Sequence, residues 1–322
     1  MSRSQKRIVR ATVQKIKTPE GIQKFIHNAG QQSSTSVVKQ IVKEHSQVEE
    51  YHYTWQSNFE PVQFDHSVNT IKKCFWAQAS IEFPRNKRTD AEGNILPRDE
   101  RINISDVPVI LVVDSAEEAF MIIISSYGPD IGRVDQLIGR DKVIELGDAE
   151  LITNEFFVWM YYCYNKNEEI LTDLKLNNIT GFTGIIADDT NRITGSSDST
   201  SDLLITKAFV SNGYDLKSLR FDLTDNVLTT ITAINEDRSL IMDLNETKLY
   251  FDGLSEEDKF QIMIRAVSYI YSGLLPALLA KYDSKKESFE GQNKNFSKEI
   301  GIEVVQAIIS KNGIMIDDIN FD

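Results

Sequence analysis

The sequence predicts an α+β fold, an antiparallel meander packed with a few helices, among them one long apolar helix near residues 255–282. Two observations carry this. From Thr180 to Leu244 the chain is a series of short β-branched segments punctuated by Asp-Asp, Gly-Ser-Ser, Asn-Gly and Asp-Asn turn residues. Around it, 148–164 and 260–278 carry apolar residues at helical spacing. An apolar content of 41% against 26% charged residues lets 322 residues bury a sizeable core.

Taken in order, 7–17 (RIVRATVQKIK) alternates apolar and polar residues as a strand does. Thr18-Pro19-Glu20 reads as a helix start, a hydroxyl cap followed by proline in the first turn, with the helix ending near Asn28 before Gly30. SVVKQIVKEH, within 31–46, has helical spacing. Tyr51, Tyr53 and Trp55 recur every second residue, as in a strand, and 73–83 is a further strand. Residues 84–106 hold two prolines, one glycine and ten charges without apolar period, which marks a loop, a boundary or a mobile insertion. The runs 107–114 and 116–126 fit two buried strands, or a strand and a helix start, followed by a turn at Tyr127-Gly128-Pro129.

Beyond the meander, Ser255-Glu256-Glu257-Asp258 supplies a helix cap and acids that complement the dipole. The following helix is apolar over more than half its circumference and should kink near Ser272–Pro276, where proline removes a donor. A polar linker over 283–297, a helix over 298–311 and a strand over 313–319 complete the chain. The expected division is a segment 1–106, with a basic arm and the polar loop, and a core 107–322 containing the meander (180–250) and the C-terminal helices.

The net charge of −13 is unevenly spread. Residues 1–43 hold nine cations and one acid, Glu20, so the other 279 residues carry −21. Such asymmetry fits a basic arm that meets an anionic partner, or one that docks on the protein's own acidic body. Arg3, Lys6, Arg7, Arg10, Lys15 and Lys17 on the arm, with Arg85, Lys87 and Arg88 on the loop, are the candidate nucleic-acid contacts. Lys72, Lys73, Arg98 and Arg101 lie near the loop, but Asp90, Glu92, Asp99 and Glu100 almost cancel its charge, as on a solvated loop; Phe75, Trp76 and Phe83 could stack on bases or belong to the core.

No catalytic signature is evident. The four histidines lie outside zinc-ligand spacings, although Glu49, Glu50, His52, Asp65 and His66 could converge if their strands pair. Asn191–Ser201 lacks the arrangement that cradles phosphates and reads as a hairpin loop. Glu246-Thr247-Lys248 after Asp225, Asp237 and Asp243 is the one enzyme candidate, a Mg²⁺-dependent nuclease of PD-(D/E)xK type with Lys248 positioning water. No catalytic residue, metal ligand or cofactor is otherwise assigned. Cys74 and Cys163 sit in apolar surroundings, as free thiols in a reducing compartment do. The basic N-terminus lacks an apolar signal core, and the runs 107–113, 119–124 and 156–163 are too short to span a bilayer, so a cytoplasmic protein without a membrane partner is expected.

From Val107 to Tyr282 the order of elements is VILVVD, then TNEFFVWMYY, then SNGYDLKSLRFDLTDNVLTTITAINEDRSLIMDL, then SEEDKFQIMIRAVSYIYSGLLPALL. This order resembles the C-terminal half of the recombination-associated RdgC family, to which the phage exclusion protein RexA is structurally related. The resemblance implies a homodimer that binds double-stranded DNA with little sequence preference and has no catalytic residues. The functional expectation is therefore a non-enzymatic, homodimeric, DNA-associated protein in a phage, defence or recombination context. The alternatives are an acidic protein-interaction subunit with a protein partner, and the nuclease.

Overall fold

A computed structural model describes residues 7–31, 36–42, 47–64, 72–185, 192–196, 204–250 and 258–314. The fold is α+β, with extensive antiparallel sheet and a helix that runs from Lys259 to Asn312. The chain forms two compact units, both discontinuous: 9–149 with 258–273, and 1–8 with 150–257 and 274–322. The expected division at 106/107 falls inside one strand of the first of these units.

That first unit is built on strands β1 (Ile8–Lys17), β2 (Ser36–Val42), β3 (Gln47–Trp55), β4 (Glu60–Pro61), β5 (Cys74–Pro84), β6 (Ile102–Val113), β7 (Glu118–Ile124) and β8 (Val143–Ile144). Their order is β1-β7-β6-β5-β3-β2, all antiparallel, with β4 on β5 and β8 on β1. Helices α1 (Ile22–Gln31) and α3 (Gly128–Ile138) supply Ile22, Phe25, Val134 and Leu137 to a core with Ile16, Ala79, Val109, Leu111, Met121 and Ile123. The other face carries Val112, Phe120 and Ile122 and meets α6 (Lys259–Tyr269), with Trp76 edge-on to Phe260 at 5.6 Å. Covered on both faces, β6 and β7 need apolar residues at every position, hence their continuous runs. That settles 107–126 as two strands.

Several expectations for this unit are corrected. SVVKQIV is strand β2, not helix: four of its seven residues are β-branched, and pairing with β3 overrides the spacing. The helix after Thr18 begins at Ile22, since Gly21 has φ +91° and closes a turn on Thr18. Tyr127-Gly128-Pro129 opens α3, proline fitting a position where no backbone donor is needed. The polar stretch is an ordered hairpin connection. Arg85 N–H donates to the Arg101 carbonyl, Thr89 bridges Ile95, a single turn α2 (Arg98–Arg101) closes it, and β6 already begins at Ile102.

The second unit holds β9 (Lys175–Ile185), β10 (Arg192–Ser196), β11 (Asp215–Thr224), β12 (Leu228–Asn235), β13 (Leu240–Asp243) and β14 (Lys248–Leu249). Their order is β10-β9-β11-β12-β13, with β14 on β12. The meander is antiparallel as expected, but LITKAFVS within it is helix α5 (Leu204–Ser211). The Phe209 ring lies over Gly184, where a Cβ would approach to 2.2 Å.

Helix α4 (Asn154–Lys166), whose first-turn N–H of Phe156 is capped by Thr153, packs on β9 and β11. Helix α7 (Leu275–Asn312) packs on α4 and α5. Residues 283–297 are thus helical rather than a linker. Tyr282, Phe289 and Phe296, seven residues apart, form one stripe against Phe156, Trp159, Tyr161 and Tyr162. The expected kink is a π-turn at Ile270–Leu274, just ahead of Pro276. Asp258 caps α6 through the Gln261 N–H, while 255–257 and the strand expected beyond Ile314 lie outside the described residues. By length and composition the helix 259–312 could cross a membrane, but 72% of its most apolar stretch is buried.

Candidate nucleic-acid interface

The period of two along β1 decides where its cations go. Val9, Ala11, Val13 and Lys15 are buried, and so share the α6 face, while Arg10 and Gln14 belong to the α3 face with Ile16. Lys15 is buried with its amine 2.8 Å from Glu118 and 3.9 Å from Asp114, above the Phe120 ring. Lys17 is 3.2 Å from the other Glu118 oxygen, and Lys72 also pairs with Asp114. The Lys15 and Lys17 ammonium groups hold the Glu118 carboxyl below the usual range. Lys15 and Lys17 are therefore neutralised.

Register places the other candidates at the opposite end of this sheet. Ala11 lies beside Ile124, Ile123 beside Val109, Pro108 beside Gln78, and Ile102 beside Pro84. Arg10, the end of β7 and the hairpin 85–101 thus point toward the same end, but β5 and β6 continue five residues past the level of Arg10, so the hairpin starts about 17 Å farther along and about 14 Å across the sheet from it. Arg10, Arg85 and Lys87 are exposed and Arg88 is half-buried. Arg85 donates to Asn103 Oδ1 at 2.8 Å, and neither Arg10 nor Lys87 pairs with an acid among the described residues. Arg7 is exposed in the other unit, where its carbonyl accepts from Leu244 N–H. Arg3 and Lys6 lie outside the described residues.

Three acids at this end, Glu49, Glu82 and Asp130, are committed internally, whereas Glu92, Asp99 and Glu100 of the hairpin are exposed. Glu82 binds Arg98 at 2.6 Å, and Glu49 binds Arg101 at 2.6 Å while accepting from the Tyr51 hydroxyl at 2.8 Å. Burial alone would raise the Glu49 carboxyl, but these partners outweigh it and hold it below its ordinary value. Burial and the bond to Glu49 push Tyr51 up to about 12. Buried Asp130 accepts from Ser105, Ser125 and Arg133. The Arg133 guanidinium lies 4.5 Å above Phe83 and 5.6 Å from the Tyr127 ring, and Tyr127 is 48% exposed. Arg133 and Tyr127 were not singled out by sequence, because only the fold carries α3 to Phe83. Of the expected stacking aromatics, Trp76 packs on Phe260, and Phe83 alone joins this cluster.

No protein-family model matches the chain, and no curated protein matches it by sequence. Among solved structures, the di-domain ARO/CYC StfQ from the steffimycin biosynthetic pathway aligns over 86% of this chain and 99% of its own, at 9% identity. The TM-score of 0.18 leaves that likeness without weight for fold or function.

The other candidates resolve into local roles. Asp225 caps the β11–β12 turn, Asp237 binds Ser239, and Asp243 accepts from the Asn245 N–H and, through its carbonyl, from Thr247. Among the described residues no three His, Cys, Asp or Glu side chains group as metal ligands. Glu49 is committed to Arg101, and Asp65 and His66 lie outside the described residues. Of Asn191–Ser201, 192–196 is strand β10 rather than loop. Cys74 and Cys163 are free and buried, and burial pushes their thiols up to about 11 and about 12, which suppresses thiolate chemistry.

Proposed function

We propose that this chain is a non-enzymatic, homodimeric DNA-associated protein that contacts phosphates through the Arg10 and hairpin end of the β1–β7–β6–β5 sheet. The carrying observation is that Arg10, Arg85 and Lys87 are exposed toward one end of that sheet, where Glu49, Glu82 and Asp130 have internal partners, while Glu92, Asp99 and Glu100 are exposed on the same hairpin and reduce its positive charge. Tyr127 and the Arg133–Phe83 stack offer a base or sugar a flat contact beside these cations. Contacts to the backbone alone give little sequence preference, and each one releases counterions. The resemblance to the RdgC family points the same way.

The test is fluorescence anisotropy with labelled single- and double-stranded DNA at low and physiological salt, with and without Mg²⁺. Binding that weakens steeply with salt and leaves the DNA intact supports the proposal. Absence of binding at low salt overturns it, and Mg²⁺-dependent cleavage would transfer the chain to the nuclease class.

A further inference from the structure

A cavity of about 250 Å³ lies wholly within the second unit, where α7 packs beside α4. Its apolar wall is Trp159 and Tyr162 of α4 and Phe289 of α7, all buried. Helix α7 also brings Lys281 and Lys285 to it, four residues apart and so on one helical face. The opposite charges come from the chain just past α4. There Asn167 takes a left-handed φ of 52°, the Glu168 N–H donates to the Cys163 carbonyl, and Glu168 and Glu169 are brought back onto the cavity. The Tyr162 hydroxyl donates to Glu168 Oε1 at 2.8 Å and holds that carboxylate in place.

Two lysines and two glutamates thus line one cavity from different elements, yet among the described residues no ion pair joins them. Farther along α7 the same residue types do close, Glu299 on Lys166 at 2.6 Å and Glu303 on Lys207 at 2.7 Å. Both signs nevertheless reach Cys163 in the cavity wall. Burial chiefly, and then Glu168, push its thiol up to about 12, while Lys281 acts in the opposite sense. Opposite charges kept apart across a gap are complemented by a solute that carries both signs close together. The aromatic wall lets the apolar part of such a solute leave water. Drug-sized ligands fill roughly 300–1,000 Å³, so the occupant is smaller, and exposed Glu168, Glu169 and Lys285 leave the cavity open to solvent. We infer that this cavity binds a free α-amino acid with an apolar or aromatic side chain, its ammonium on Glu168 and Glu169 and its carboxylate on Lys281 and Lys285. A simple anion would meet the two carboxylates and a simple amine the two lysines, so each is penalised where the zwitterion is not.

The site does not rest on the DNA reading, because Arg10 and the hairpin belong to the first unit. It is tested by isothermal titration calorimetry of the full chain with L-phenylalanine and L-leucine. Phenethylamine and 3-phenylpropionate, which each keep one of the two charges of phenylalanine, serve as controls. Both amino acids should bind, and each control should bind at least about 10-fold more weakly than phenylalanine, since it forfeits one set of charge-assisted bonds. Glu169→Gln and Lys285→Gln should each weaken phenylalanine by about 10-fold as well. Both side chains are exposed, so the fold should be kept, which circular dichroism verifies. No binding of either amino acid up to the millimolar range overturns the inference. Controls that bind as tightly as phenylalanine overturn recognition of a zwitterion, and a phenylalanine affinity that neither substitution lowers overturns this cavity as the site.

Discussion

The two ends of the β1–β7–β6–β5 sheet carry cations of the same kinds and put them to opposite uses. At one end, Lys15, Lys17 and Lys72 converge on Asp114 and Glu118, and the charges cancel within the fold. At the other, internal pairs take up Glu82, Glu49 and Asp130, while Arg10, Arg85 and Lys87 remain exposed. A basic segment is thus not a basic surface. Strand register decides which lysines and arginines are available, because Lys17 lies directly opposite Glu118 whereas Arg10 lies beyond the last residue of β7.

The sharpest way to break this comparison is to remove the free end. Replacing Arg10, Arg85, Lys87 and Arg88 together with alanine should weaken DNA binding by about 100-fold at low salt. Four phosphate contacts imply a slope of roughly −3.6 in log affinity against log salt, most of which should vanish in the variant. Anisotropy titrations at several salt concentrations read both quantities. An unchanged slope would remove this end of the sheet from the interface.

The paired end should respond in the opposite sense. Lys15→Ala should leave DNA affinity unchanged but lower stability by about 1–2 kcal/mol, because a buried stem is lost and a charge-assisted bond to Glu118 goes with it. Urea denaturation checks the stability and the same titration checks the affinity. Lower affinity with intact stability would show that the two ends had been assigned the wrong way round.

Much of this was legible in the sequence, and the failures share a cause. The alternation of β1, the apolar runs of β6 and β7 and the broad face of α4 each report burial directly, so each was recognisable. Residues 283–297 were not, because Tyr282, Phe289 and Phe296 form a stripe only one residue wide per two turns, and polar residues surround it. Strand β2 and helix α5 were misread where local spacing and tertiary pairing disagree. At the candidate site the cations were visible, but their partners were not. Glu49 and Arg101 are 52 residues apart, and nothing local predicts their bond.

The smallest predicted effect concerns β1 midway between the two ends, where Gln14 meets α3. Gln14 Nε2 donates to Asp135 Oδ2 at 3.2 Å, and Gln14 Oε1 and Asp135 Oδ1 are both buried without a described donor. Burial raises the Asp135 carboxyl above its ordinary value, outweighing the Gln14 bond and the attraction of Arg140. A protonated Asp135 can donate where an ionised one only accepts. With the folded value above the unfolded one, its contribution is complete below the unfolded value of 3.8 and is lost as pH rises through the folded value. Asp135→Asn keeps the shape and supplies a permanent N–H, so it should hold stability through that window and flatten the acid side of the stability–pH profile. Denaturation from pH 3 to 7 compares the two proteins. Parallel profiles would mean that Asp135 is ionised throughout, and that the rigidity of β1 owes nothing to this proton.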